Sequence, residues 1–311
     1  MNQKIAIGTD IGGSHISCIA VDLDGHRMLE KTYSHRDVDS NGPADEILQA
    51  WAEAIRSSIE LAGASIPAGI GLAMPGPFDY LNGIGDYTGV QKFGNLKGVN
   101  IGKEILKRLN YNQEIPVRFL NDASSFAVGA VWSDDSMQSK NVLAITLGTG
   151  FGSTFIMDSL PVINDERVPK HGFVYHLPFK GGIADDNFST RGLIEAYRQR
   201  TGRVLKGVKD LAELADSDNQ AMETMQQFGS ELGEFLGPWI QKAGISVIII
   251  GGNISKSYAL FGPEFRKKLA EQGFDVNIRL SAETEQMAML GSARLADENY
   301  FSRIQPLLKY M

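Results

Sequence analysis

The sequence predicts an α/β protein made of two related halves. A strand, a glycine-rich turn and a second strand open the chain, and the same design recurs about 140 residues later. Helix-like segments with apolar residues every three or four positions alternate with further strands. The spacing of about 140 residues between the two strand–turn–strand segments is too long for a solenoid repeat. A length of 311 residues favours two domains over one. We therefore expect two halves that face each other across a cleft.

The composition limits the classes of function. With 43% hydrophobic and 22% charged residues, the chain is typical of a globular protein. The net charge of -7 and the lack of a Lys/Arg-rich run argue against a nucleic-acid partner. The single cysteine, Cys18, excludes an internal disulfide and a cysteine-rich zinc site. Without a signal-peptide core or the roughly 20 apolar residues of a membrane helix, we expect a cytoplasmic protein that binds no membrane.

The first glycine-rich turn joins strands predicted at 4–9 and 15–23. Its glycines admit unusual backbone angles and let a ligand approach the main chain, and Asp10 is suited to hold a cation directly or through water. A plain hairpin turn uses Gly-Gly equally well, so this motif is weak by itself. The turn consists of Asp10, Ile11, Gly12, Gly13 and Ser14.

Other elements of the first half follow from apolar periodicity and turn residues. The stretch from Met74 to about residue 99 has no clear period, which is typical of a functional loop. Its polar residues suit a hydroxyl-rich ligand, although a solvated loop accounts for each of them equally well; they are Asp79, Asp86, Thr88 and Asn95. The predicted elements are strands at 27–33, 69–73 and 117–120 and helices at 44–63, 101–109 and 123–132.

A carboxylate is predicted at a strand-to-helix corner. Asn121 and Asp122 directly follow the strand at 117–120 and precede the helix at 123–132. Open α/β sheets gather ligands at such corners, and a fixed carboxylate there can take a proton from a substrate hydroxyl. Taken alone, the stretch is explained as well by Asp122 serving as a helix N-cap.

The second glycine-rich turn runs from Gly148 to Ser153 between strands predicted at 141–147 and 154–157. Its spacing differs from the dinucleotide-binding fingerprint, and it leads into a strand instead of a helix. The chain also lacks a Gly-x-x-x-x-Gly-Lys-Ser/Thr loop. Two glycine-rich hairpins and one carboxylate form a natural set for phosphoryl transfer, in which hairpins cradle phosphates and the carboxylate activates the acceptor.

The remainder of the second half supplies two further candidates. Gly251 and Gly252 follow a buried strand, where a nucleobase fits against the backbone, but a simple strand-to-helix turn explains them too. Residues 161–188 are irregular; a His/Asp metal site is conceivable there, and a local hydrogen-bonding role is preferred for its His171, His176, Asp185 and Asp186. The predicted elements are helices at 190–198, 208–215, 219–243 and 285–296 and a strand at 247–250.

Six short motifs follow one another at characteristic distances. They are Asp10-Ile-Gly-Gly-Ser14, Met74-Pro-Gly-Pro77, Asn121-Asp122-Ala123, Leu147-Gly-Thr-Gly-Phe-Gly152, Ile250-Gly-Gly-Asn253 and Leu290-Gly-Ser-Ala293. In this order the chain resembles the ROK family of sugar kinases and sugar-responsive repressors over nearly its whole length. The resemblance implies a two-domain actin-like ATPase (ribonuclease H-like) fold with the active site in a cleft. It implies a small domain at 1–119, completed by a C-terminal helix at about 296–311, and a large domain at 120–295.

The resemblance also implies an ATP-dependent hexose kinase of the glucokinase type that uses Mg²⁺. Asp122 would be the general base, most often toward the sugar 6-hydroxyl. Sugar contacts would come from Gly76, Asn121, His176 and Glu195. Phosphate, cation and adenosine contacts would come from Asp10 (the Mg²⁺ ligand), Gly12, Gly13, Ser14, Gly148, Thr149, Gly150, Gly251 and Gly252.

Two departures from the family pattern stand out. Phe173 replaces the first of two glutamates, which puts the identity of the sugar in question. Asp186, Phe188 and Leu193 replace the zinc cysteines, so we expect no structural zinc and a loop held by packing. Glucose is the default substrate; N-acetylhexosamine, mannose and fructose kinases and a catalytically weak sugar-binding sensor stay open.

The family resemblance includes repressors that carry an N-terminal helix-turn-helix. The first strand predicted here starts at about residue 4, which leaves no room for one, so a DNA-binding role is disfavoured. The expected partners are the hexose, ATP and, by family analogy, a second copy of the chain in a homodimer.

Overall fold

The computed structural model describes residues 4–111 and 115–311. Residues 1–3, part of the amino terminus expected to lack a signal peptide, lie outside the described residues. The chain divides into two compact units. The first contains Met1–Gln138, Ser159–Pro161 and Glu285–Met311, and the second contains Ser139–Asp158 and Val162–Thr284.

Strands and helices alternate through both units. None of the helices in the described part of the chain is long and apolar enough to cross a membrane. The strands are β1 (Ile5–Ile11), β2 (His15–Asp22), β3 (Arg27–Met28), β4 (Ser34–Asp37), β5 (Ile70–Met74), β6 (Phe78–Asp79), β7 (Ile84–Gly85), β8 (Val117–Asn121), β9 (Val142–Leu147), β10 (Phe151–Met157), β11 (Leu160–Pro161), β12 (Pro178–Phe179), β13 (Gly182–Ile183), β14 (Val247–Gly251) and β15 (Asn277–Leu280). The α-helices are α1 (Ala44–Leu61), α2 (Ile101–Leu109), α3 (Asp122–Trp132), α4 (Ala184–Phe188), α5 (Thr190–Thr201), α6 (Val208–Leu214), α7 (Asn219–Ala243), α8 (Tyr258–Glu271), α9 (Thr284–Ala293) and α10 (Glu298–Ile304).

The sheet of the first unit has the strand order β3-β2-β1-β5-β8, with β4 also paired to β2. β1 and β2 form an antiparallel hairpin in which Ile11 lies opposite Ile16. β5 runs parallel to β1, and β8 runs parallel to β5. The carboxyl ends of β1, β5 and β8 therefore meet at one edge, which brings Asp10, Met74 and Asn121 to the same side of the sheet.

The sheet of the second unit repeats this arrangement. β9 and β10 form the antiparallel hairpin, and β14 and β15 follow in parallel on the other side of β9. The order β10-β9-β14-β15 corresponds to β2-β1-β5-β8. The predicted pair of related halves is thus confirmed at the level of topology, and each glycine-rich turn joins the two strands of its hairpin.

The predicted third strand at 27–33 is wrong. Only Arg27–Met28 pair as β3, Glu30–Thr32 form a 3₁₀ turn, and Ser34–Asp37 form β4. The Thr32 hydroxyl accepts a hydrogen bond from the Ala20 N–H (2.9 Å), a place that a backbone carbonyl would take in a continuous strand. The periodicity of apolar residues cannot predict that a side-chain hydroxyl replaces a backbone carbonyl as the acceptor.

The limits of the two units differ from the predicted domain boundaries at 119 and 296. α3 and all of α9 after Thr284 lie in the first unit, where their backbones touch each other. The C-terminal segment, α10 and the 3₁₀ turn Gln305–Tyr310, also lies in that unit. α8 and β15, which the sequence analysis did not identify, complete the second unit.

The apolar core of the second unit lies between its sheet and α7. The stripe on α7 is core, as its pattern indicates: Met225, Phe228, Leu232, Phe235 and Leu236 are buried. Met222 and Trp239 are only partly buried and pack against this core. Pro238 lies within α7, which continues past it to Ala243.

Helix α9 touches its neighbours through backbone atoms. A β-carbon at Gly71 of β5 would lie 1.8 Å from the Ser292 carbonyl oxygen, and one at Gly8 of β1 would lie 1.9 Å from that of Met289. On its other side, a β-carbon at Gly291 would lie 1.9 Å from the carbonyl oxygen of Ser125 in α3. The small residues of α9 therefore pack closely against their neighbours, and glycines on three elements make the approach possible.

The close contact at Gly71 predicts a large loss of stability in Gly71→Ala. Because the neighbour is a helix carbonyl that cannot rotate away, we expect a fall in the free energy of unfolding of about 3 kcal/mol or more in urea. Gly94→Ala is the matched control, since a β-carbon there meets nothing within 4 Å, and its change is expected within about 0.5 kcal/mol. Equal effects of the two substitutions would contradict this packing.

Candidate functional site

Two further carboxylates, Asp122 and Glu285, lie within electrostatic range of Asp10 at the carboxyl edge of the first sheet. Asp10 is the penultimate residue of β1, Asp122 begins α3 directly after β8, and Glu285 lies in the first turn of α9. Burial, together with the negative charges of Asp122 and Glu285, raises the pKa of Asp10 to about 8. An acidic group in such surroundings is poised to accept a cation, which would relieve the repulsion.

Asp122 is not the N-cap of α3. That role belongs to Asn121, whose side-chain oxygen accepts a hydrogen bond from the Ser124 N–H (3.2 Å). The Asp122 carboxylate accepts one from the Ala123 N–H (2.8 Å). The alternative reading of Asp122 as a cap is therefore wrong, and its side chain has oxygen lone pairs left for a ligand.

Burial raises the pKa of Asp122 above its ordinary value. The Ala123 N–H, the positive charge of Lys92 and hydrogen bonding from Asn121 oppose this shift. The side chain is partly accessible. A carboxylate with a raised pKa is a stronger base than an exposed aspartate, so this position suits proton abstraction.

Tyr80 braces the loop that follows β5 against this corner. Its hydroxyl donates to the Met74 carbonyl (3.1 Å) and accepts from the Asn121 side-chain amide (3.3 Å). A β-carbon at Gly76 would lie 3.4 Å from the same hydroxyl, and the Gly76–Pro77 bond is cis. Asn121 thus donates its amide N–H groups within the protein, to Tyr80 and to Asp122, and its side-chain oxygen keeps one lone pair.

In the first glycine-rich turn, neighbouring side chains restrict the space for a β-carbon, whereas the backbone angles do not require glycine. Gly12 and Gly13 both have ordinary negative φ, contrary to the expectation of unusual angles. A β-carbon at Gly12 would meet the His15 ring at 3.2 Å, and one at Gly13 would meet the Lys92 side chain at 3.4 Å. Ser14 is exposed and its hydroxyl lies 3.2 Å from His15 Nδ1.

Lys92 is a site residue that the sequence analysis missed. It lies in the loop after β5, next to the Gly13 backbone and within charge range of Asp122. A lysine ammonium group beside a glycine turn can serve as a phosphate partner. No motif spacing marks it, because its position depends on the path of the preceding loop.

The other polar residues of that loop are engaged locally. Asp79 accepts from the Leu81 and Asn82 N–H groups, and Asp86 accepts from the Thr88 hydroxyl (2.6 Å). Asn95 donates to backbone carbonyls of residues 41 and 42. These contacts, together with β6, β7 and the 3₁₀ turn Gly94–Leu96, stabilise the loop itself.

The second glycine-rich turn is open and well supported. Thr149 and Gly150 are exposed, and a β-carbon at Gly148 would meet nothing within 4 Å. The Gly148 carbonyl accepts from the Thr190 N–H (2.7 Å) and hydroxyl (2.9 Å) at the start of α5. Asp185 accepts from the Phe151 N–H (2.7 Å) just after the turn.

Gly252 is required by the fold of the second unit. Its φ is +84°, and a β-carbon would lie 2.3 Å from the Leu147 carbonyl oxygen. Its N–H donates to the Thr284 hydroxyl (2.7 Å). Gly251 ends β14 beside Thr146 of β9. Both glycines therefore lie at the same sheet edge as the Gly148 turn. For Gly252, the alternative explanation, a glycine required by a tight turn after the strand, is sufficient.

Comparison with known proteins now decides the family. The profile of the ROK family matches residues 6–299. The chain belongs to the ROK family. This confirms the resemblance drawn from the six motifs.

Relatives and solved ROK structures agree with this assignment. An N-acetyl-D-glucosamine kinase from Mannheimia succiniciproducens is 28% identical over 272 residues, covering 80% of this chain and 84% of that protein. A glucokinase from Thermotoga maritima is 26% identical over 290 residues, covering 85% and 87%. The crystal structure of a ROK hexokinase from Thermus thermophilus is similar with a TM-score of 0.76 at 21% identity, covering 96% of this chain and 99% of that one. The predicted actin-like ATPase fold is thereby confirmed.

Where the ROK pattern has zinc cysteines, this chain has a packed loop. Phe188 is fully buried and its ring lies 5.2 Å from those of Phe179 and Phe235. Leu193 is buried as well, and Asp186 receives a hydrogen bond from Arg191 (2.9 Å). Packing holds the loop, as expected from the sequence, and Arg191 adds ion pairs with Asp185 and Asp186.

The ROK sugar-side positions are only partly free to bind a ligand. Phe173 is half-buried, and burial lowers the pKa of His176, so that its imidazole is neutral at physiological pH. Glu195 accepts hydrogen bonds from Arg198 (2.6 and 2.7 Å) and Gln199 (3.0 Å), both within α5. The described contacts do not bring Glu195 and His176 together.

The raised pKa of Asp10 predicts a pH-dependent stability. The folded chain retains a proton that the unfolded chain releases between the ordinary value of 3.8 and about 8, so the free energy of unfolding falls as pH rises through this window. The slope is at most about 1.4 kcal/mol per pH unit. Asp10→Asn removes this pH dependence. In thermal unfolding in Mg²⁺-free buffer, the stability of the variant relative to the wild type should therefore increase as pH rises. A stability difference that does not change with pH would contradict the raised pKa of Asp10.

Proposed function

We propose that this chain transfers the γ-phosphoryl group of ATP to a hexose 6-hydroxyl, with Asp122 as the general base. The observation that supports it most is the convergence of Asp122, Asp10 and the Gly12–Gly13 turn at one edge of the first unit. A base, a cation ligand and a phosphate cradle are the parts that phosphoryl transfer to a hydroxyl requires.

The N-acetyl-D-glucosamine kinase and glucokinase relatives give the class of the enzyme: the chain is an ATP-dependent sugar kinase. The hexose is not fixed by the relatives, which include both N-acetyl-D-glucosamine kinase and glucokinase. We propose glucose as the first substrate to test, with N-acetylglucosamine next and mannose and fructose after it. Phe173, in place of a carboxylate that would bind sugar hydroxyls, is the feature most able to change this preference.

The chemistry follows from the surroundings of Asp122. Its raised pKa strengthens it as a base, and the Ala123 N–H keeps the carboxylate oriented. The remaining oxygen lone pair of the Asn121 side chain can accept a hydrogen bond from a neighbouring sugar hydroxyl. Proton removal from the attacking hydroxyl is the step that this side chain performs.

The residues fit a nucleotide and its cation. Asp10 offers a hard carboxylate ligand in surroundings where negative charge is unfavourable, which suits Mg²⁺. Lys92 and the N–H groups of the Gly12–Gly13 turn are partners for phosphate, and in the second unit the open Gly148–Gly150 turn offers more. Bound Mg²⁺ would neutralise phosphate charge. Gly251 and Gly252 are proposed to contact adenosine.

Asp122→Asn tests the proposed base. The amide keeps the oxygen that accepts from Ala123 but cannot take a proton, so kcat should fall by about 10² or more with the best hexose. ADP release measured by a coupled assay over a hexose panel gives the rate, and NMR of the product identifies the phosphorylated hydroxyl.

The matched control is Asp24→Asn, an exposed hairpin carboxylate of the same unit. It should keep the wild-type rate. If Asp122→Asn also keeps it, Asp122 is not the base.

Lys92→Met tests the charge beside the turn. Loss of this cation removes an influence that lowers the pKa of Asp122, so the acid limb of the kcat/KM profile should shift to higher pH. We also expect kcat/KM for ATP to fall by about tenfold, the loss of one charged hydrogen bond. Lys97→Met, whose ammonium contacts Thr88 in the same loop, is the control and should leave both unchanged. If the acid limb does not shift, the charge of Lys92 does not act on the proposed base Asp122.

A second candidate is a sugar-binding sensor with little kinase activity. Phe173 in the sugar-side loop and the ion pair that holds Glu195 favour it. Thermal stabilisation by a hexose without ADP release in the same buffer would support the sensor; turnover that depends on Asp122 would exclude it. In either case we propose a homodimer, which analytical ultracentrifugation can test.

A further inference from the structure

Three metal-ligating side chains meet beside the first glycine-rich turn, and one of them, Glu285, is also one of the carboxylates near Asp10. They are His15 at the start of β2, His35 in β4 and Glu285 in the first turn of α9. One potential ligand atom from each lies within 4.8 Å of the other two. In the described ranges 4–111 and 115–311, this is where such groups cluster; the His and Asp residues at 171–186, considered above as a metal site, form no comparable group.

The strand register brings the two histidines together. His15 lies opposite Asp37 and Ser17 lies opposite His35, so the histidines are diagonal neighbours on one face of the β2–β4 pair. Their ring centroids are 4.9 Å apart, with the planes tilted by 30°. Glu285 reaches them from α9, whose position is set by the backbone contacts described above.

Hydroxyl groups orient both imidazoles. The Ser14 hydroxyl lies 3.2 Å from His15 Nδ1, and the Ser17 hydroxyl lies 3.1 Å from His35 Nδ1. Ser17 is fully buried and also contacts the Tyr33 hydroxyl (3.1 Å). Metal-binding histidines commonly have one ring nitrogen engaged in this way, which leaves Nε2 for the metal.

The carboxylate supplies the third ligand. His15 Nε2 lies 3.7 Å from Glu285 Oε1, beyond hydrogen-bonding distance. That oxygen is buried and has no hydrogen-bond partner among the described residues. A buried carboxylate oxygen without a partner is costly, and a cation would satisfy it.

We propose that His15, His35 and Glu285 bind a Zn²⁺ ion. Two imidazoles and one carboxylate are a known zinc ligand set, with a fourth position for water. Ligand atoms of a tetrahedral zinc site are separated by about 3.4 Å, so the observed ligand atoms need to move together by at most about 1.4 Å. His35 Nε2 now lies 3.4 Å from Asp37, whose side chain is 97% exposed; this weak contact is the one that the metal replaces.

The zinc ion would connect the β2–β4 pair to the start of α9. It differs from the proposed Mg²⁺ ligand Asp10 in chemistry, because imidazole nitrogen favours zinc and oxygen ligands favour magnesium. The inference therefore does not depend on the proposed kinase mechanism, and its test needs no sugar or ATP.

The test is Zn²⁺ binding to the tag-free full chain after removal of metals by a chelator. Equilibrium dialysis in excess Mg²⁺ should give one Zn²⁺ per chain. His35→Gln and Glu285→Gln should each weaken binding by at least about tenfold, the lower end of the effect of disturbing a zinc ligand shell. His26→Gln, an exposed histidine of the same unit, and Asp10→Asn should retain it.

Substitution with Co²⁺ provides a readout that needs no variant. The wild type should show the intense visible absorption of a four-coordinate ion with nitrogen ligands. Weak six-coordinate absorption, no Zn²⁺ bound in excess Mg²⁺, or unchanged affinity in both folded ligand variants would overturn the proposal. Loss of binding in Asp10→Asn with binding intact in Glu285→Gln would also overturn it, by placing the metal at the other carboxylate.

Discussion

The close backbone approach of α9 to the first sheet and to α3 is the constraint on which the candidate site depends. Glycines at positions 8, 71 and 291 let this helix lie against β1, β5 and α3 without intervening side chains. Ser292 reinforces the contact, since its hydroxyl accepts from the Thr9 N–H and lies 3.0 Å from the Thr9 carbonyl oxygen. Asp10 directly follows Thr9, and Glu285 begins the same helix, so the packing fixes both carboxylates.

The consequence is electrostatic. Asp10 is largely removed from water and is repelled by the negative charges of Asp122 and Glu285, and the folded chain tolerates this by keeping Asp10 protonated or by binding a cation. Sites that bind charged ligands often carry such an unfavourable arrangement, which the ligand relieves. The same edge presents the Gly12–Gly13 turn, Lys92 and Asn121, and phosphoryl transfer uses each of these types of group.

The hairpins and the position of Asp122 can be predicted from the sequence, because short local patterns specify them. Glycine-rich turns between alternating strands predict the two hairpins, and the corner after residue 120 predicts the position of Asp122. Other features are not local. The Thr32 hydroxyl replaces a strand carbonyl, Lys92 reaches Gly13 through a loop whose path no periodicity specifies, and Glu195 is engaged by its own helix. His15, His35 and Glu285 come from three elements with no common spacing, so only the folded chain brings them together.

The account is tested most directly by ¹³C NMR titration of the aspartate side-chain carboxyls in the metal-free protein. It predicts that Asp10 titrates near pH 8, that Asp122 titrates above the ordinary range, and that the Asp10 midpoint falls when Asp122 is replaced by Asn. If both groups titrate independently near pH 4, the ordinary value of about 3.9 for an exposed aspartate, the carboxylates do not share a site.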